Sequence, residues 1–280
     1  MPSPGLSLVG FLDRSAGIAT LRNTCVLPDQ SDDALGAEWE AARAKLGAPM
    51  ERAGNPEIQE LPPEAANHVT QVIANYQYVQ QQMAAGMTFK MVELDPLLAY
   101  QFTVDKSRSD HHNGGPDAGR PNLDQLLAMC LPLHYQADGV RLNLNNNSML
   151  ITSDDLNFRL NAQGWMPTPF GNFVGIQVGA AVPLLHVVLF NGRYYLHNGF
   201  HRAVGLSRRG VTHAPCVVRE VLDAQSAAIG QPGTFDQELL ESANPPTVGH
   251  FAQGRAHDVN LKVFTRTMHV SWADHITTRD

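Results

Sequence analysis

The dipeptide Asn191-Gly192 restricts the folding of this chain more than any other feature. It lies between the apolar run Leu184–Phe190 and the strand-like segment Arg193–His197. An Asn-Gly pair between two such runs favours a type I′ turn, whose twist matches that of the strands it joins. A hairpin is expected here. The chain then reads "NGFHRAVGLSRRGVTHAPCVV": the second strand stops at Asn198-Gly199, a short helix begins near Phe200 or His201, and another strand follows.

The start of that helix carries chemistry. Gly199 permits a tight turn and close approach of a ligand to the backbone. The first N–H groups of a helix lack internal partners and carry the positive end of its dipole. His201 and Arg202 stand in that first turn, where cationic side chains oppose the dipole. An anion resolves the conflict, because it is stabilised by the dipole and by the side chains together. Arg209 is expected on the same helix face, with Arg208 as secondary charge, and the anion class that fits best is a phosphate.

Elsewhere the pattern is that of a mixed chain. Residues 1–30 read as irregular with a short strand near Leu21–Leu27, and Ser31 reads as the cap of a helix carrying Leu35, Trp39, Ala42 and Leu46. One continuous helix is expected from Pro62-Pro63 to Gly86, with Val69, Val72, Ile73, Tyr76, Val79 and Met83 inward. "FKMVELDP" reads as a strand, "PNLDQLLAMC" as a helix, and the Asp138-Gly139 region as a hairpin turn. Thr234 with Gln237 suggests a capping box, and the segment 258–272 one or two closing strands. "SDHHNGG" at 109–115 reads as a polar glycine-rich loop rather than a metal site, placed where it could act as a lid. The paired Asp154 and Asp155 point apart and make a poor acid/base pair.

Strand, Gly199-Phe200-His201-Arg202, helix and strand resemble the ParB/sulfiredoxin superfamily, and "MVELDPLLAYQFTVD" is similar to that family's first conserved segment. The resemblance covers roughly residues 87–222, with a long insertion between the two segments. It implies an α+β fold with a mixed sheet of ParB/sulfiredoxin type. The division expected is 1–86 as an N-terminal helical region, 87–222 as the family-like domain, and 223–280 as a helix–strand extension on the same core. Gly199, His201, Arg202, Arg209 and Gln101 become the ligand-binding candidates. Phe200 stands where sulfiredoxins carry their cysteine, so sulfinic reduction is not expected. Asn198 stands where free-serine kinases of the superfamily carry an acid, leaving Glu93, Asp95 or His201 as catalytic candidates. The tail of about 58 residues after Leu222 does not read as the DNA-binding region of partitioning ParB proteins. What the resemblance implies is binding of a nucleotide or small phosphorylated ligand, ATP or CTP with Mg, with phosphoryl transfer or phosphodiester hydrolysis as the reaction. The alternatives are a non-enzymatic interaction or self-association module, such as a homodimer, and a ParB-like DNA nuclease.

Composition narrows these. A net charge of -7 disfavours general attraction to nucleic acid or an anionic membrane. The cysteines, Cys25, Cys130 and Cys216, form no CxxC pair, which fits a reduced cytoplasmic setting and no zinc. No signal peptide or membrane span is read.

Overall fold

The computed structural model describes residues 2–115, 118–135, 137, 139–169, 171–180, 182–231 and 233–273, and the backbone alone of 161–163, 165–168 and 172–174. In chain order the elements are β1 (Ser3–Ser7), α1 (Arg14–Thr24), α2 (Asp32–Lys45), β2 (Ile58–Glu60), α3 (Ala66–Asn75), α4 (Gln77–Ala84), β3 (Thr88–Glu93) and β4 (Thr103–Asp105). Then come α5 (Lys106–His112), α6 (Leu123–Cys130), β5 (Arg141–Asn145), β6 (Ser148–Ser153), β7 (Phe158–Thr168), β8 (Gly171–Ala180), β9 (His186–Phe190) and β10 (Arg193–Asn198). The last are α7 (Phe200–Arg208), β11 (His213–Glu220), α8 (Gln237–Glu241), α9 (Val248–Ala252), β12 (His257–Leu261) and β13 (Arg266–Ser271). The chain is α+β.

It forms two compact units, Met1–Leu133 with Pro183–Lys262, and His134–Val182 with Val263–Asp280. The division therefore falls elsewhere than at residues 86 and 222. β2 joins the sheet of β3, so the N-terminal region is not purely helical, and β12 and β13 belong to different units. The insertion expected within 87–222 corresponds to most of the second unit.

The first unit is built on a five-stranded sheet in the order β10-β9-β11-β3-β2. β11 pairs parallel with β9 and antiparallel with β3, so the sheet is mixed. The hairpin of β9 and β10 has Asn191 and Gly192 at φ 48° and 74°, the two positive angles that a type I′ turn needs. A second sheet, β12-β1-β4, backs onto α1 and α2. There Val9, Ile18, Leu21, Cys25, Leu35, Ala42, Val259 and Leu261 form one apolar cluster, with Trp39 against it. The second unit consists of a β13-β6-β5 sheet and the β7–β8 hairpin.

Several expectations fail for local reasons. Residues 14–24 are helical because Asp13 accepts the Ala16 N–H at 2.8 Å and caps α1. The helix after Pro62-Pro63 breaks at Tyr76, whose extended backbone (φ −126°, ψ 102°) separates α3 from α4. The Tyr76 hydroxyl donates to the Pro132 carbonyl at 2.9 Å. β5 and β6 turn at Asn146-Asn147, not at Asp138-Gly139, and Asp138 lies outside the described residues. Asp236, not Thr234, caps α8, accepting the Leu239 N–H at 2.8 Å. Residues 106–112 are helix α5, capped by Asp105, and not a loop. No helix among the described residues is long and apolar enough to cross a membrane.

Candidate functional site

β10 leaves the sheet through a bulge between Leu196 and Asn198, and Gly199 turns the chain into α7 at φ 94°, ψ 27°. That left-handed geometry favours glycine by itself. Contact requires it too: a Cβ on Gly199 would sit 2.5 Å from Leu185 Cδ1 and 3.0 Å from Arg202 Nη2. The guanidinium thus lies against the turn. No side chain caps α7. After β3 the chain crosses β10, where Leu98 N–H donates to Tyr194 O at 3.0 Å and Leu196 N–H to Leu98 O at 2.9 Å. This crossing brings Tyr100 under the turn, its hydroxyl donating to the His197 carbonyl and its ring edge-on to Phe200 at 5.1 Å. Burial pushes the Tyr100 phenol well up.

Arg202 is only 4% exposed, and its Nη1 donates at 2.8 Å to the Met129 carbonyl in the last turn of α6. A cation there satisfies one of the carbonyls a helix end leaves open. Beneath it Cys130 and Cys216 are buried, and burial raises both thiols, Cys130 to about 12. His201 is part-buried, with its ring 6.5 Å from that of His112. Burial, followed by the positive Arg108 and then by the neighbouring His112, lowers His201 to about 4, so the ring is neutral at pH 7.

α5 reaches this corner through a missing side chain. Gly205 of α7 faces Ser109 and Asn113, and a Cβ there would meet Asn113 Nδ2 at 2.2 Å and Ser109 Oγ at 2.5 Å. Ser109 Oγ donates to the His201 carbonyl at 2.8 Å, and Asn113 Nδ2 to the Ser109 carbonyl at 2.6 Å. α5 thereby carries Arg108 and His112 to the start of α7.

The other candidates are engaged elsewhere. Glu93 accepts Arg52 Nη2 at 2.6 and 2.8 Å and the Glu57 N–H at 2.9 Å. Asp95 accepts from Ser207 and from Gln253 Nε2 at 2.9 Å. Ser207 is six residues beyond His201, about 9 Å along the helix at 1.5 Å per residue. Arg209 donates to the Asn113 and Gly115 carbonyls at the end of α5. Gln101 forms an isolated bridge with Thr234. The structure therefore gathers Gly199, His201 and Arg202 with Arg108 and His112, and gives Glu93, Asp95, Arg209 and Gln101 other partners. The hold of Met129 on Arg202 and the place of Tyr100 were not read from the sequence. The tyrosine after "DPLLA" was the available signal. Asp154 pairs with Arg141 Nη2 at 2.7 Å, and Asp155 accepts from Tyr135, so each of that acidic pair has its own structural partner.

Among the described residues no three of His, Cys, Asp and Glu stand together to hold a metal ion. A cavity of about 360 Å³ opens between β2, β3, α3 and α4, lined by Leu61, Pro62, Val69, Met83 and Phe89 among others, and shares no residue with the α7 corner. Comparison with protein-family models, curated proteins and solved structures returned no match.

Proposed function

We propose that the chain binds a phosphorylated ligand, a nucleotide such as ATP or CTP with magnesium, at the start of α7, on a sheet of ParB/sulfiredoxin type. The observation that carries this reading is the convergence of the cations Arg108 and Arg202, with the rings of His112 and the neutral His201, on a helix start that has no side-chain cap and would by itself disfavour cations. Gly199 lets a phosphate approach the Phe200 and His201 amides, and the Arg202 guanidinium backs the turn. Magnesium would arrive with the nucleotide's own oxygens. If the bound phosphate reacts, the chemistry is phosphoryl transfer or phosphodiester hydrolysis, with the neutral His201 ring in the first turn of α7 as proton acceptor.

A second reading, an interaction module without catalysis, is favoured by one observation: Arg202, Arg209, Glu93 and Asp95 are all engaged in holding the fold. Thermal melting with ATP, CTP, GTP and ADP, each with magnesium, separates the two. A rise in melting temperature that Arg202→Ala weakens by about 1.5–3 kcal/mol of affinity, the range for a hydrogen bond to a charged group, supports phosphate binding. A flat response to all four nucleotides supports the module.

A further inference from the structure

Behind the Gly199 turn, the five-stranded sheet carries a second polar cluster. His186 of β9 is 5% exposed, and its ring stands 4.8 Å from that of His197 on β10, nearly perpendicular to it. Arg219 of β11 is the next charge. Three buried nitrogens, His186 Nε2, His197 Nδ1 and Arg219 Nε, have no hydrogen-bond partner among the described residues. Residues 223–231, mostly in turns, pass beside Arg219 and His197. That segment is held by little. Arg219 Nη2 donates to the Ser226 carbonyl at 3.4 Å, the Ala227 backbone favours the charged His197 ring although burial outweighs it, and Ala227 and Ile229 are buried.

We propose that residues 223–231 are a pH-gated cover, closed while His186 and His197 are neutral and released when an imidazole takes up a proton. A proton on either ring would place a second cation beside Arg219. The groups around the pair are Arg219 on β11, which Gln82 of α4 and Asp223 at the start of the segment approach in turn, the Ala227 carbonyl, and Tyr100, whose hydroxyl donates to the His197 carbonyl and whose ring is 6.5 Å from that of His197. Asp223 is the carboxylate among them, and it is exposed and bound to the Ser226 N–H and hydroxyl at 2.7 and 2.8 Å. Burial, with the neighbouring ring and Arg219, already holds His186 down at about 3, and His197 is lowered for the same first reason. The charge can be hydrated only if something moves. β9, β10 and β11 are tied into the sheet, whereas the segment's internal bonds are local, such as Ala228 N–H to Gln225 O at 3.0 Å and Ile229 N–H to Ala224 O at 2.9 Å. Elements held this way open first.

In the open form an imidazole moves back towards its ordinary value near 6.5, so opening takes up a proton and becomes easier as pH falls. For one imidazole that recovers fully, the open population rises by at most about 25-fold from pH 7 to pH 5. The inference is independent of the anion reading. Hydrogen exchange of the full chain at the two pH values, corrected for intrinsic rates, tests it. The expected result is that amides of 223–231 gain open population several-fold, up to about 25-fold, while those of β9 and β11 stay protected. The rise should vanish in His186→Phe/His197→Phe. Should that variant fail to fold, the His186 ring proton resonances of the natural chain must titrate together with the opening of 223–231. Equal protection of the segment at both pH values, loss of protection by the strands in step with it, or the same rise without the two histidines overturns the proposal.

Discussion

Gly205→Ala should destabilise the chain, although helix propensity alone predicts the reverse. Alanine in a helix interior is favoured over glycine by about 1 kcal/mol. Against that, the new methyl would lie 2.2 Å from Asn113 Nδ2 and 2.5 Å from Ser109 Oγ, inside any tolerable contact. Asn113 is fully buried and Ser109 is 1% exposed, so neither can swing into solvent. Overpacking of this kind costs about 1–3 kcal/mol. Displacing the two side chains also sacrifices the Asn113–Ser109 and Ser109–His201 hydrogen bonds, about 1 kcal/mol each. After subtracting the propensity gain, the net loss is about 2–4 kcal/mol. Urea denaturation followed by circular dichroism measures it. On a Ser109→Ala/Asn113→Ala background the same substitution should become neutral or stabilising, because the offending atoms are gone. Stabilisation by Gly205→Ala in the natural chain would refute the packing of α5 on α7, and with it the delivery of Arg108 and His112 to the corner.

Two glycines separate backbone strain from contact. Gly192→Ala meets nothing within 4 Å and should cost only the left-handed penalty, about 1–2 kcal/mol, whereas Gly199→Ala adds the clash with Leu185 and should cost about 2–5 kcal/mol. Equal losses in the two denaturation curves would show that Leu185 does not crowd the turn. His250 supplies a pH limb. Its Nδ1 accepts the Thr247 N–H at 3.1 Å, so a second ring proton would face a donor, and burial followed by Arg255 holds the ring at about 4. The unfolded chain, with an ordinary value near 6.5, then binds more protons than the folded one. Stability from this group is intact above about pH 6.5 and is lost as pH falls towards 4, with about 2 kcal/mol gone at pH 5. His250→Gln should flatten the limb by that amount, and an unchanged slope counts against it.

The hairpin, the turn and α7 were legible in the sequence because their signals are local. Asn191-Gly192 sets the turn by its own backbone preference, and Gly199 marks the strand-to-helix change. α2 was legible for the same reason, through Ser31. The helix break at Tyr76 was not, since the apolar spacing runs unbroken across it while the deciding contact, to Pro132, is 56 residues away. The "SDHHNGG" segment looked like a loop because its glycines follow the histidines closely. In the fold those glycines end α5, and Asp105 starts it. The roles of Arg202 and Asp95 depended on tertiary partners, a carbonyl of α6 and a hydroxyl of α7, which no spacing in the chain announces.

The start of α7 is best interrogated by following backbone amide resonances of the isotopically labelled chain during titration with ATP and magnesium, and with inorganic pyrophosphate. The account predicts saturable shifts centred on Gly199, Phe200, His201 and Arg202, extending to Arg108 and His112, and weakened by added salt. Resonances at these positions that stay fixed while the ligands reach millimolar concentration, or shifts centred elsewhere in the chain, would contradict it.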